Sequence, residues 1–208
     1  MNSGFIQPFF FRFFNKEHFL YKLETKEKVV YLTFDDGPIP EITPDILKIL
    51  RERDCKATFF CVGDNIRKHP AILEKILHEG HSVGNHTFHH LNGWKTNTRN
   101  YVEEVHQCRD YFSTTLFRPP YGKFKLSQYY ALRKEYRFIL WSLLTRDYSS
   151  RVSPKKCLEI AIKHTQPGSI VVFHDNLKAK DKLLYTLPRY LDHFLDKGYR
   201  FERIGLDH

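Results

Sequence analysis

Cysteine is sparse in this chain and poorly placed for a scaffold. Cys55, Cys61, Cys108 and Cys157 form no CxxC pair among 208 residues, a density far below that of a disulfide-stapled domain. Cys61 sits in the apolar run Thr58–Val62, where a thiol behaves as a small hydrophobe. All four are expected to be free and structural, none a nucleophile. Glycine, at 10 residues, falls in no dinucleotide or phosphate-loop pattern, which argues against a nucleotide-binding open sheet. There is no arginine-rich run and no nucleic-acid motif. The net charge of +9 therefore reads as a basic, soluble surface. Affinity for an anionic polymer such as cell wall is the sharper alternative, and no nucleic-acid partner is expected.

Long apolar runs are missing too. The most apolar stretch, residues 5–14, is broken by Pro8 and Arg12 and is too short to span a bilayer. No positive region precedes it and no small-residue cleavage site follows, so a secretory signal is not expected. We expect residues 1–27 to be an aromatic-rich segment packing across one end of the domain. The alternative is an interfacial dip into a membrane. Location is expected to be cytoplasmic or peripheral to the membrane.

What is present is a substantial core in one domain, with 41% hydrophobic residues and 18 Phe. Apolar runs at 29–34, 57–62, 82–85, 115–118, 137–143, 169–173 and 199–204 predict strands. Between them, 44–53, 70–79, 98–113, 126–135, 154–165 and 182–197 predict amphipathic helices. Prolines 44, 70 and 154 suit first helical turns. Seven strands separated by six helices predict an α/β fold with a parallel sheet, closed or nearly closed into a barrel.

Polar clusters follow these strands, where such barrels collect their chemistry. Asp35 and Asp36 follow the first. By itself Asp-Asp-Gly is more often a turn, and adjacent carboxylates raise each other's pKa unless a positive group lies nearby. His86, His89 and His90 follow the third. Two imidazoles four apart with a carboxylate make a three-ligand metal set, but spacing alone leaves His89 in contention. Arg118-Pro119-Pro120-Tyr121-Gly122, Asp147-Tyr148 and His174-Asp175 complete the series.

Thr33-Phe34-Asp35-Asp36-Gly37, His86-Thr87-Phe88-His89-His90, Arg118-Pro119-Pro120-Tyr121-Gly122 and Val172-Phe173-His174 resemble, in order, the motifs of the polysaccharide deacetylases of carbohydrate esterase family 4, the NodB homology domain. The resemblance runs from about Lys28 to Ile204 and implies a distorted (β/α) barrel with seven strands, residues 28–208 being the catalytic domain. It implies Asp36, His86 and His90 as metal ligands, and Asp35 as the base for the attacking water. Arg118 would hold Asp35, the Tyr121 N–H would face the oxyanion, and His174 would be the acid, tuned by Asp147. The family's Asp-x-x-Asp-Trp is here Leu144-Thr145-Arg146-Asp147-Tyr148, and Val172 replaces a leucine. Tyr148 and Val172 would therefore line an altered acetyl pocket.

The implied cofactor is one divalent metal, zinc before cobalt, nickel or another first-row ion. The implied partner is an N-acetylated carbohydrate, and the implied reaction is removal of acetyl from N-acetylglucosamine-type sugars of a bacterial glycan. An O-acetyl ester, a non-sugar amide or a cyclic imide is the alternative substrate. A glycan-binding protein without turnover is the alternative class.

Overall fold

Residues 18–205 are described by the computed structural model; the Phe-rich stretch 5–14 lies outside them. Nine strands and seven helices follow one another within that range. They are β1 (Phe19–Leu20), β2 (Val29–Asp35), α1 (Thr43–Arg51), β3 (Thr58–Cys61), α2 (Gly63–Lys68), α3 (Pro70–His78) and β4 (Ser82–Asn85). There follow α4 (Thr98–Gln107), β5 (Leu116–Phe117), α5 (Leu126–Leu132), β6 (Arg137–Ile139) and β7 (Leu143–Leu144). The chain ends with α6 (Pro154–His164), β8 (Ile170–His174), α7 (Lys180–Leu195) and β9 (Arg200–Glu202).

Every residue of β2 is buried, as expected of a parallel strand covered on both faces. Alternation then sorts its side chains. Val30, Leu32 and Phe34 pack with Ile46, Leu50 and Leu187 in the helix layer. Val29 and Tyr31 face the other way and join Phe60, Leu116, Ile139 and Ile170, roughly one from each strand, in the barrel interior. Continuing this period-2 pattern upward places Thr33 and Asp35, Arg118, and Val172 and His174 on the interior face. The site residues are thus the top layer of the barrel's own filling.

Parallel pairing runs β6-β5-β4-β3-β2-β8-β7, with β1 added beside β6 and β9 beside the first half of β2. The barrel is borne out, with one correction. The stretch 137–143, expected as a single strand, is broken between β6 and β7. Arg118 supplies the physical reason, since its Nε and Nη2 donate to the carbonyls of Ile139 and Leu140. The Leu140 N–H goes instead to Leu20 O. The chain leaves the β5 ladder there and resumes against β8, pairing Leu143 with Val171. One segment therefore borders both β5 and β8 and closes the ring.

Further differences are local, among them β1, which falls where no strand was expected. The helix expected to reach residue 113 ends at Gln107 and tightens into a 3₁₀ turn at 108–110, and α2 was not expected. All four cysteines are free and buried. Burial pushes the thiols of Cys55, Cys108 and Cys157 up to about 12, which suits inert core residues. No described helix is long and apolar enough to cross a membrane.

Candidate metal and catalytic centre

Arg118 leaves the end of β5 fully buried and is gripped on all sides. Its Nη1 donates to Asp35 Oδ1 at 2.6 Å and to Thr33 Oγ1 at 2.8 Å. The guanidinium also lies over the ring of Phe60 at 4.0 Å, with Trp141 at 5.8 Å. Burying a cation is tolerable only when it is paired and its donors are used, and both conditions hold here. A guanidinium so fixed cannot swing, so Asp35 is fixed with it. Asp35 in turn stands opposite His174 in the parallel register of β2 with β8. Register alone therefore sets these two side by side.

Immediately after Asp35 the backbone turns left-handed at Asp36, φ 87°. Asn65 Nδ2 donates to the Asp36 carbonyl at 2.8 Å. Asp36 Oδ1 then lies 3.6 Å from His86 Nε2 and 3.1 Å from His90 Nε2. His86 Nδ1 is 2.7 Å from the carbonyl of Arg118. A carbonyl can only accept, so Nδ1 carries the hydrogen and Nε2 keeps its lone pair toward Asp36. The His86–His90 segment is a loop, not a helix turn, with left-handed φ at Thr87 and His90. His89 points elsewhere: Glu104 takes both its N–H and its Nδ1 at 2.8 Å.

One donor atom from each of Asp36, His86 and His90 falls within 4.8 Å of the others. Burial alone would raise the pKa of Asp36, yet hydrogen bonds donated by His86 and His90 in their protonated forms hold it well below the usual carboxylate range when no ion stands between them. Two converging imidazole nitrogens and a carboxylate form an arrangement that could hold a cation between them. This nitrogen–oxygen set fits a first-row divalent ion such as zinc.

On the adjacent strand side, Asp147 is fully buried and bonds His174 through both its oxygens. Its Oδ1 lies 2.8 Å from His174 Nδ1, and its Oδ2 accepts the His174 N–H at 2.7 Å. Burial would lower the pKa of His174, but Asp147, aided by Asp36 and Asp35, raises it to about 9. The half-exposed Tyr148 sets its ring edge-on to His174 at 4.8 Å. Tyr121 does the same to His90 at 4.8 Å. Its left-handed backbone (φ 62°) leaves its N–H without a backbone acceptor among the described residues. Val172 is fully buried, one step below His174 on the same face of β8. Among the described residues, five of the six non-glycine left-handed ones, Asp36, Thr87, His90, Tyr121 and Arg146, lie in these loops. Strain of this kind gathers where surrounding structure over-determines a site.

The sequence profile described as Polysaccharide deacetylase matches residues 22–138. This chain belongs to that family. The matched stretch holds Asp35, Asp36, His86, His90, Arg118 and Tyr121 but stops short of Asp147 and His174. Full-length similarity extends further. A peptidoglycan-N-acetylglucosamine deacetylase of Bacillus cereus is 29% identical over 89% of this chain and 90% of its own. A chitooligosaccharide deacetylase of Azorhizobium caulinodans is 31% identical over 80% and 82% respectively. The crystal structure of the Bc1960 peptidoglycan N-acetylglucosamine deacetylase superposes with a TM-score of 0.83 at 30% identity, covering 88% of this chain and 89% of that one.

Five supporting residues of this polysaccharide deacetylase fold were given no role by sequence reasoning. Thr33 bridges Arg118 and the Val171 carbonyl. Asp175, buried after His174, accepts the Gly37 N–H at 2.9 Å and the Thr43 hydroxyl at 2.8 Å. Gly37 has to be glycine, because a Cβ there would sit 1.8 Å from Asp175 Oδ2. Asn65 and Asn176 hold Asp36. The only sequence signal for Asp175 and Asn176 was their place directly after a barrel strand.

Proposed function

We propose that this chain is a divalent-metal-dependent hydrolase removing acetyl groups from N-acetylglucosamine-type sugars of a bacterial glycan of the peptidoglycan kind. The observation that carries this is that Asp35 and His174, suited to act as base and acid, stand side by side next to a three-ligand set. Asp35 is locked by Arg118, His174 is held cationic by Asp147, and Asp36, His86 and His90 converge beside them. The names of the relatives support the substrate class. Every residue invoked lies beyond residue 28, in the proposed catalytic domain.

Zinc held by Asp36, His86 and His90 would polarise the acetyl carbonyl and acidify the attacking water. Asp35 accepts the proton of that water, its orientation fixed by Arg118. The Tyr121 N–H donates to the developing oxyanion. His174 then protonates the departing amine, which is otherwise a poor leaving group. Tyr148 borders the pocket for the acetyl methyl, and the buried Val172 packs below His174 behind it.

Acetate release from chitooligosaccharides and peptidoglycan fragments, with zinc supplied, tests this reading. We expect release from the wild type and a loss of at least about 10²-fold in Asp35→Asn, the scale of removing a positioned general base. Zinc occupancy without any release across the panel would exclude these glycans as substrates.

A further inference from the structure

β8 runs straight into His174-Asp175-Asn176, and each of these residues reaches back to the end of β2. The Asp175 N–H donates to the Asp35 carbonyl at 3.0 Å, and the Asp175 carboxylate holds Gly37 and Thr43. Asn176 takes the remaining piece. Its Nδ2 donates to Asp36 Oδ2 at 2.6 Å, while its Oδ1 accepts the Ala179 N–H at 3.0 Å, just ahead of α7. That second bond settles the orientation of the amide. Only an oxygen can accept from Ala179, so the NH₂ has to face the carboxylate. Asp36 is thereby divided, with Oδ2 committed to Asn176 and Oδ1 turned toward the Nε2 atoms of His86 and His90.

We propose that Asn176 is a positioning residue for the metal, holding Asp36 so that Oδ1 alone is offered between the two imidazoles. This rests on the assignment of Asp36, His86 and His90 as the ligands. A free carboxylate can rotate or offer both oxygens to an ion, and either change alters where the ion sits relative to Asp35. A hydrogen bond that occupies one oxygen removes both options. Partners of this kind are worth roughly 10–100-fold in metal affinity. Asn176 also ties the metal half of the site to the strand end that carries His174, so one short turn sets ligand and acid together.

The test is a zinc titration of the full chain against a chromophoric chelator, for wild type, Asn176→Ala, Asp36→Ala and the double variant. We expect Asn176→Ala to bind zinc about 10–100-fold more weakly, with its metal-free melting temperature nearly unchanged. In the Asp36→Ala background the same substitution should cost nothing further, because Asn176 acts through Asp36. Equal losses in both backgrounds, or none in either, overturn the proposal. Asn176→Leu, which keeps the bulk and lacks the N–H, replaces the alanine variant if that does not fold. If neither folds, the residue is structural and the proposal is lost. A wild type that binds no zinc, or an Asp36→Ala variant of unchanged affinity, removes the ligand assignment itself and the proposal with it.

Discussion

His174 is a histidine kept cationic in a place that burial alone would make neutral, and Asp147 is the cause. Its folded-state pKa of about 9 exceeds the ordinary 6.5, so the folded chain holds a proton that the unfolded chain releases above that value. The resulting stability is fully present below pH 6.5 and is lost as pH rises through about 9. For the metal-free protein this amounts to about 3 kcal/mol. Denaturant unfolding of chelator-treated protein at pH 6 and pH 9 should reveal the loss, and Asp147→Asn should flatten it. If His174 is the acid as proposed, the same substitution in zinc-supplied protein should move the alkaline limb of kcat/KM down by a unit or more, because that acid would be neutral at lower pH. An unmoved limb would detach Asp147 from that role. At this scale the clustering was readable in the sequence, since Asp35, Asp36, His86, His90, Arg118 and His174 sit in short ordered motifs that the fold brings together. Asn65 and Asn176 were not readable. An asparagine in a loop carries no signal until folding brings a carboxylate or carbonyl to it.

Arg118 does two tasks with one planar group: it fixes Asp35, and it takes up the Ile139 and Leu140 carbonyls where the chain leaves the β5 ladder. Arg118→Lys keeps the charge but loses the fork, so it cannot serve Asp35, Thr33 and both carbonyls. We expect a destabilisation of about 3 kcal/mol, on the scale of breaking a buried pair, alongside a large fall in kcat. Urea unfolding and steady-state kinetics measure the two, and a fall in kcat with unchanged stability would assign Arg118 to Asp35 alone. Gly37→Ala should likewise destabilise by about 1–3 kcal/mol through overpacking against Asp175, as thermal melting can check. The break in 137–143 was invisible locally because the run is apolar throughout. What breaks it is a side chain from another strand. α2 was missed for a different reason, since the six residues Gly63–Lys68 are too few to establish a helical period.

Viewed whole, the barrel order followed from the strand count and the absence of nucleotide-type glycines, while the way it closes did not. Ligand linkage acts at this scale. Zinc at 100 times its dissociation constant should stabilise the folded state by about 2.7 kcal/mol. For a chain of this length that raises Tm by about 5–10 °C. Calorimetry with and without chelator checks it, and Asp36→Ala should abolish the rise. The single segment at 137–144 that borders both β5 and β8 also has a consequence in time. Asp35, Asp36, His86, His90 and Arg118 all come from the first 118 residues, whereas Asp147 and His174 arrive with the final third of the chain. The β2–β8 contacts that bring the two groups together span a sequence separation of 138 residues, and such distant pairings form slowly. During synthesis the proposed ligands are therefore all made before Asn176 and the proposed proton donor exist. Asn176 and His174 then arrive on one turn and complete both halves of the site together.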